Sequence, residues 1–173
     1  MAISLYDLSV ASYLQTLGAV SGFLERGAAF WADKGVDPEA IVETRLSEDM
    51  LPFRFQILSV VHHSHGAIEA IKSGHAGPPP ASPPLGYADL QKLVADAEAA
   101  LRALTPDEVN AHEGRDVVFQ IGEMKLPFKA EDFVLSFSLP NVHFHATTAY
   151  DILRIKGVPL GKRYYLGKLR LNA

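Results

Sequence analysis

Three features of the sequence predict an all-α fold, an antiparallel four-helix bundle with a small β-hairpin insert. Four long stretches repeat apolar residues at intervals of three and four, a proline-rich connection separates the second from the third, and two short β-type runs flank a glycine turn. With 173 residues and 48% hydrophobic content, the chain can form one substantial core and is short for two. Residues 1–173 are therefore read as a single domain.

From Ser9 the positions Val10, Tyr13, Leu14, Leu17, Val20, Phe23, Leu24, Ala28 and Trp31 trace one helical face. Ser9 is placed as N-cap and Gly35 lies beyond the last turn, so the first helix is expected over 9–34. Asp37-Pro38-Glu39-Ala40 has the cap, first-turn proline and early carboxylate of a short helix ending near Thr44. A second long helix is expected over 52–73, with Phe53, Ile57, Val60, Val61, Ser64, Ala67, Ile68 and Ile71 on one face and Gly74 as terminator. His75 to Gly86 holds five of the eleven prolines and is read as an extended linker (75–86) that forms neither helix nor central strand.

A third helix is expected over 87–104, with Leu90, Leu93, Val94, Ala97, Leu101 and Leu104 on its stripe and Thr105-Pro106 as its stop. The runs Val117–Gln120 and Met124–Phe128 around Gly122 form the hairpin, with Pro127 placing one strand at an edge. Glu131-Asp132 open a fourth helical segment over 131–156, which passes a kink at Pro140 into its central part and ends at Gly157 and Pro159. No internal repeat shows at a fixed period.

Composition excludes several chemistries. A net charge of −4 and a pI near 5.9 leave no electrostatic footprint for nucleic acid. The chain has no cysteine, which removes disulfides, thiolate metal sites and cysteine nucleophiles. No basic residue precedes Arg26 and no run of 18 apolar residues occurs, so the protein is expected to be soluble and cytoplasmic, with no membrane partner. The strings for a serine-hydrolase elbow, a phosphate-binding loop and a dinucleotide fold are missing.

The seven histidines are the unusual resource. In the second helix His62 and His65 stand at i, i+3 and His65 and Glu69 at i, i+4, whereas His63 is placed on the opposite flank. In the central helix a rotation of roughly 100° per residue puts Asn141, His145, Thr148 and Ile152 on one face and turns His143 away with Ala146 and Tyr150. Two helices facing inward can build a divalent-metal site from His62 and His145 with open positions for water. Equally, His145 can be a core histidine bonded to a carbonyl or hydroxyl, and Asn141 can satisfy backbone groups freed by Pro140. His143 with Tyr150 fits packing or a dimer surface, and His75 and His112 fall in loops.

Several strings taken together resemble the DUF1993 family: Ser4-Leu5-Tyr6-Asp7, Asp49-Met50-Leu51-Pro52, Leu139-Pro140-Asn141, Phe144-His145, Thr147-Thr148-Ala149-Tyr150, Gly157 to Lys162 and Leu166-Gly167. That family is similar to the DinB/YfiT-like superfamily of four-helix bundles. The better-known members of that superfamily hold a divalent metal with three histidines, and some are metal-dependent transferases acting on low-molecular-weight thiols. The resemblance implies a metal set of His62, Asn141 and His145, with zinc or nickel as the ion. Asn141 departs from the superfamily's imidazole and is the poorer neutral ligand.

Two functions follow. One is a metal-dependent enzyme acting on a small thiol or other small molecule. The other is a non-catalytic bundle that binds a small ligand or a partner protein, with structural histidines. Leu139, Val142, Phe144, Ala146, Tyr150, Leu153 and Ile155 surround the central helix with more apolar surface than one stripe needs, and on this ground a homodimer is expected.

Overall fold

The computed structural model describes residues 3–81 and 84–171. Its chain is mostly helical, with a small three-stranded sheet. The helical content begins earlier than the periodicity implied. Ser4 caps a single turn, α1 (Leu5–Leu8), through a reciprocal capping box with Asp7. Ser9 is not a side-chain cap; its hydroxyl donates back to the Leu5 carbonyl at 2.6 Å, and the chain bends there into α2 (Val10–Ala32). A 3-10 turn follows (Pro38–Ile41), then α3 (Phe53–Ser73), which starts after Pro52 and ends at Gly74 in the left-handed conformation (φ 79°).

The proline-rich connection is not wholly a spacer. Its first residues form β1 (His75–Ala76), which pairs in parallel with β2 (Asp116–Ile121), and β2 pairs antiparallel with β3 (Met124–Lys129) across the turn at Gly122. The parallel strand is a correction to the all-α expectation, which had provided for the hairpin alone. A two-residue strand joined through a long crossover leaves no local periodicity to read. Prolines then exclude further pairing, and residues 82–83 of the linker lie outside the described residues.

Next come α4 (Tyr87–Arg102) and α5 (Pro106–Asn110). Thr105 does more than stop α4, because it forms a capping box with Glu108 that opens α5. α5 in turn serves α1: Asn110 Oδ1 accepts from the Tyr6 N–H at 2.9 Å and Glu113 from the Leu5 N–H at 3.2 Å. Thr105→Ala is expected to cost about 1 kcal/mol in urea unfolding through loss of this cap.

The last long segment is continuous. α6 (Ala130–Asp132) passes into a π-helical turn (Phe133–Ser138) and then α7 (Leu139–Ile155), so the irregularity expected at Pro140 lies in the turn just before it. In the wider turn the Leu139 N–H reaches back to the Val134 carbonyl, five residues away. A proline two positions into the next helix then costs little, because its missing N–H falls where the bonding register is already changing. α8 (Lys162–Leu166) lies against α2, with Gln15 Nε2 donating to the Leu166 carbonyl and Arg26 stacked over the Tyr164 ring at 4.0 Å.

The four long helices pack on one another: α3 on α7 and α4, and α2 on α4, α7 and α3. Tyr13, Phe23, Phe53, Ile57, Leu90 and Ile152 are all buried among them. Of the apolar residues invoked for a dimer, Val142, Ala146 and Leu153 are core and Tyr150 lies under the edge of Tyr165, while Phe144 and Ile155 are exposed. Among the described residues no helix is long and apolar enough to cross a membrane.

Candidate functional site

The histidines of α3 and α7 do meet, but in a different combination from the one the helical wheel implied. His63, expected on the flank opposite His62 and His65, is 7% exposed and faces α7. Its ring stacks on that of His145 with centroids 5.8 Å apart and planes 4° from parallel. It also meets His62 edge-on at 5.0 Å and Phe137 of the π-turn at 5.7 Å. His63 is thus the ring that adjoins both of the histidines picked out in the sequence.

Hydrogen bonds assign the state of the two outer rings. Gln56, 2% exposed, donates its Nε2 to the Leu51 carbonyl at 2.7 Å, which turns its Oε1 toward His145 Nδ1 at 2.8 Å. An amide oxygen only accepts, so His145 carries its proton on Nδ1 and keeps Nε2 as a lone pair. His62 Nε2 lies 2.9 Å from the Gly77 carbonyl, so that nitrogen donates. Burial pushes the His145 pKa down to about 4. Burial, with the neighbouring His62 and His145, pushes that of His63 down to about 3. Both rings are neutral at pH 7.

Of the three rings, only His63 lacks a hydrogen-bond partner among the described residues; the bond at this residue is accepted by its main-chain carbonyl, from Ser138 Oγ at 2.5 Å. Ser138 in turn accepts from the buried Tyr13 hydroxyl at 2.5 Å, a relay that ties α2 through the π-turn to α3. The His63 ring opens instead onto a cleft of about 280 Å³. The second half of α3 lines it with His62, Gly66, Ala67 and Ala70, β1 and Gly77 form the opposite wall, and Phe133 and Phe137 close one side.

Asn141 is placed differently. Its Nδ2 donates to the Phe137 carbonyl at 2.7 Å, so the amide serves the backbone of the turn that precedes it. Asn141→Ala is expected to lower stability by about 1 kcal/mol, measured by urea unfolding. His65 is half-buried on α3, Glu69 pairs with Lys72 at 2.9 Å, and His143 is exposed on α7. Among the described residues, no three His, Asp or Glu side chains are placed to hold a metal ion. Asn141 commits its Nδ2 to the main chain, and the His63 ring adjoins those of both His62 and His145.

His63 and Gln56 are the site residues that sequence reasoning missed. Gln56, His63 and Ala70 recur every seven residues on α3, with Ser59 and Gly66 between them. A polar and small-residue series of that period was the available signal.

The family of domains of unknown function DUF1993 matches residues 5–166, nearly the whole chain. The chain belongs to the DUF1993 family. The DUF1993 fold is shared with a solved structure, a DinB family member protein from Shewanella denitrificans. That protein is 23% identical, with a TM-score of 0.80 over 98% of this chain and 95% of that one. Among curated proteins no match was found. At this identity the likeness establishes the common fold, and the site has to be argued from the residues of this DUF1993 chain.

Proposed function

We propose that this DUF1993 protein is a helical bundle that binds a small molecule in the cleft between α3, β1 and the π-turn, with His63 as a neutral hydrogen-bonding group. The His63 ring carries this reading: it lines the cleft while nine-tenths of the residue is buried, and no hydrogen bond within the described residues occupies its nitrogens. A polar group that the protein's own bonds leave open at the wall of a cleft is one that an incoming ligand can bond to. His62 and His145 are tied by Gly77 and Gln56 and keep His63 in place from two sides.

The same geometry favours binding over proton abstraction. A general base works best with a pKa near the working pH, and an imidazole brought down to about 3 is a weak base at neutral pH. No chemical step is therefore assigned to it.

The test has two arms on tag-free protein. In the first, a panel of small neutral and charged compounds is screened by thermal shift against the native protein and His63→Ala; compounds that raise the native Tm are expected to leave the variant unmoved. In the second, zinc and nickel are quantified in the native protein and in His145→Ala, with less than stoichiometric metal expected in both. Stoichiometric metal in the native protein that disappears in His145→Ala would replace this reading with the metal-dependent one.

A further inference from the structure

Resting on that reading, the cleft also indicates the class of its ligand. We propose that it takes an uncharged aromatic molecule of about one ring that carries an O–H or N–H donor, the ring packing against the cleft wall formed by Phe133 and Phe137 and the donor reaching His63. Size comes first: about 280 Å³ falls just below the range of roughly 300–1,000 Å³ typical of ligand sites.

Charge is the second argument. No lysine or arginine lines the cleft among the described residues, and its one carboxylate, Glu69, is already paired with Lys72 at 2.9 Å. An anion would find no lysine or arginine there, and a cation would have to compete with Lys72 for the one carboxylate. Shape is the third. Phe133 and Phe137 stack at 5.5 Å with planes 21° apart, and Phe137 meets the His63 ring edge-on, so aromatic surface and imidazole stand side by side. Across from them α3 presents Gly66, Ala67 and Ala70, whose small side chains leave the slot open.

Gly66 supplies an independent control. Glycine is a poor residue for a helix interior, and a Cβ at this position would meet only the His62 ring, at ordinary contact distances of 3.5 Å (Nδ1) and 3.9 Å (Cγ). Gly66→Leu should therefore preserve the helix while placing a side chain in the cleft.

The experiment titrates phenol, toluene, hexan-1-ol and benzoate at pH 7 by ligand-observed NMR, against the native protein, His63→Phe and Gly66→Leu, with circular dichroism confirming the fold of each. Phenol is expected to bind saturably, toluene and hexan-1-ol at least tenfold more weakly, and benzoate not at all. His63→Phe should weaken phenol at least tenfold, to the level of toluene, and Gly66→Leu should abolish the binding of every probe. Toluene binding as tightly as phenol, or phenol binding unchanged in His63→Phe, would overturn the donor contact. Preference for benzoate or hexan-1-ol, blocked by Gly66→Leu, would overturn the ligand class while leaving the cleft as a binding site. Should none of the four bind, the class is wrong, and the cleft reading falls with it only if the thermal-shift panel is also silent. If His63→Phe does not fold, the order of the four probes and their loss in Gly66→Leu still decide the matter.

Discussion

Lowering the pH from 7 to 4 is expected to remove roughly 3 kcal/mol of folding stability through His63 alone. The sign follows from its position. In the unfolded chain the imidazole titrates near its ordinary 6.5, while burial in the fold brings it to about 3. Between those values the unfolded state binds the extra proton, so stability is full above pH 6.5 and declines steadily as the pH falls toward 3. His145, brought down to about 4, acts in the same direction over a narrower window and contributes less because its ring is nearer solvent. Carboxylates such as Asp7 and Glu108, held low by their capping hydroxyls and amides, add to acid sensitivity below their ordinary range. The informative quantity is therefore the difference between native protein and His63→Phe in urea unfolding at pH 7 and pH 4. The variant should lose roughly 3 kcal/mol less than the native protein on acidification. Equal losses would mean that the ring is not held neutral in the folded state.

Ser138→Ala is expected to cost about 2 to 3 kcal/mol, a large effect for the loss of one oxygen atom. The hydroxyl donates to the His63 carbonyl and accepts from Tyr13, and all three groups are inaccessible to water or nearly so. Its removal cuts two hydrogen bonds and leaves the Tyr13 hydroxyl buried with nothing to donate to. Tyr13→Phe alone should cost only about 1 kcal/mol, since Ser138 keeps its bond to the carbonyl. In the double variant no buried hydroxyl is orphaned, and its loss should be well short of the sum. A double-mutant cycle in urea checks this directly, and additive losses would show that the relay is not a unit.

The sequence by itself determined where most of the secondary structure lies. α4 follows its apolar stripe, α3 runs between Pro52 and Gly74, and the two strands of the hairpin flank Gly122 as the alternation of residue types requires. These features are local: a helical period, a missing N–H and a positive φ act within a few residues of where they occur. The strings shared with DUF1993 likewise identified the family before any geometry was known.

Only the tertiary structure decided which histidine faces inward. His62 and His63 differ by a rotation of roughly 100°, and the apolar positions alone marked the inward face of this helix. α3, however, packs on α7 as well as on α4, so its buried arc extends over the polar residues Gln56, Ser59 and His63, which an apolar count ignores. The π-turn was hidden for a similar reason. Pro140 announces a missing hydrogen bond, but whether the helix kinks or widens depends on the partners available to the freed groups. Here the Asn141 amide and the Ser138 hydroxyl tie this turn to the main chain of its own helix and of α3. β1 gains its strand only because β2, some 40 residues away, offers it an edge. Such pairings are made by surfaces distant in sequence, and local periodicity carries no information about them.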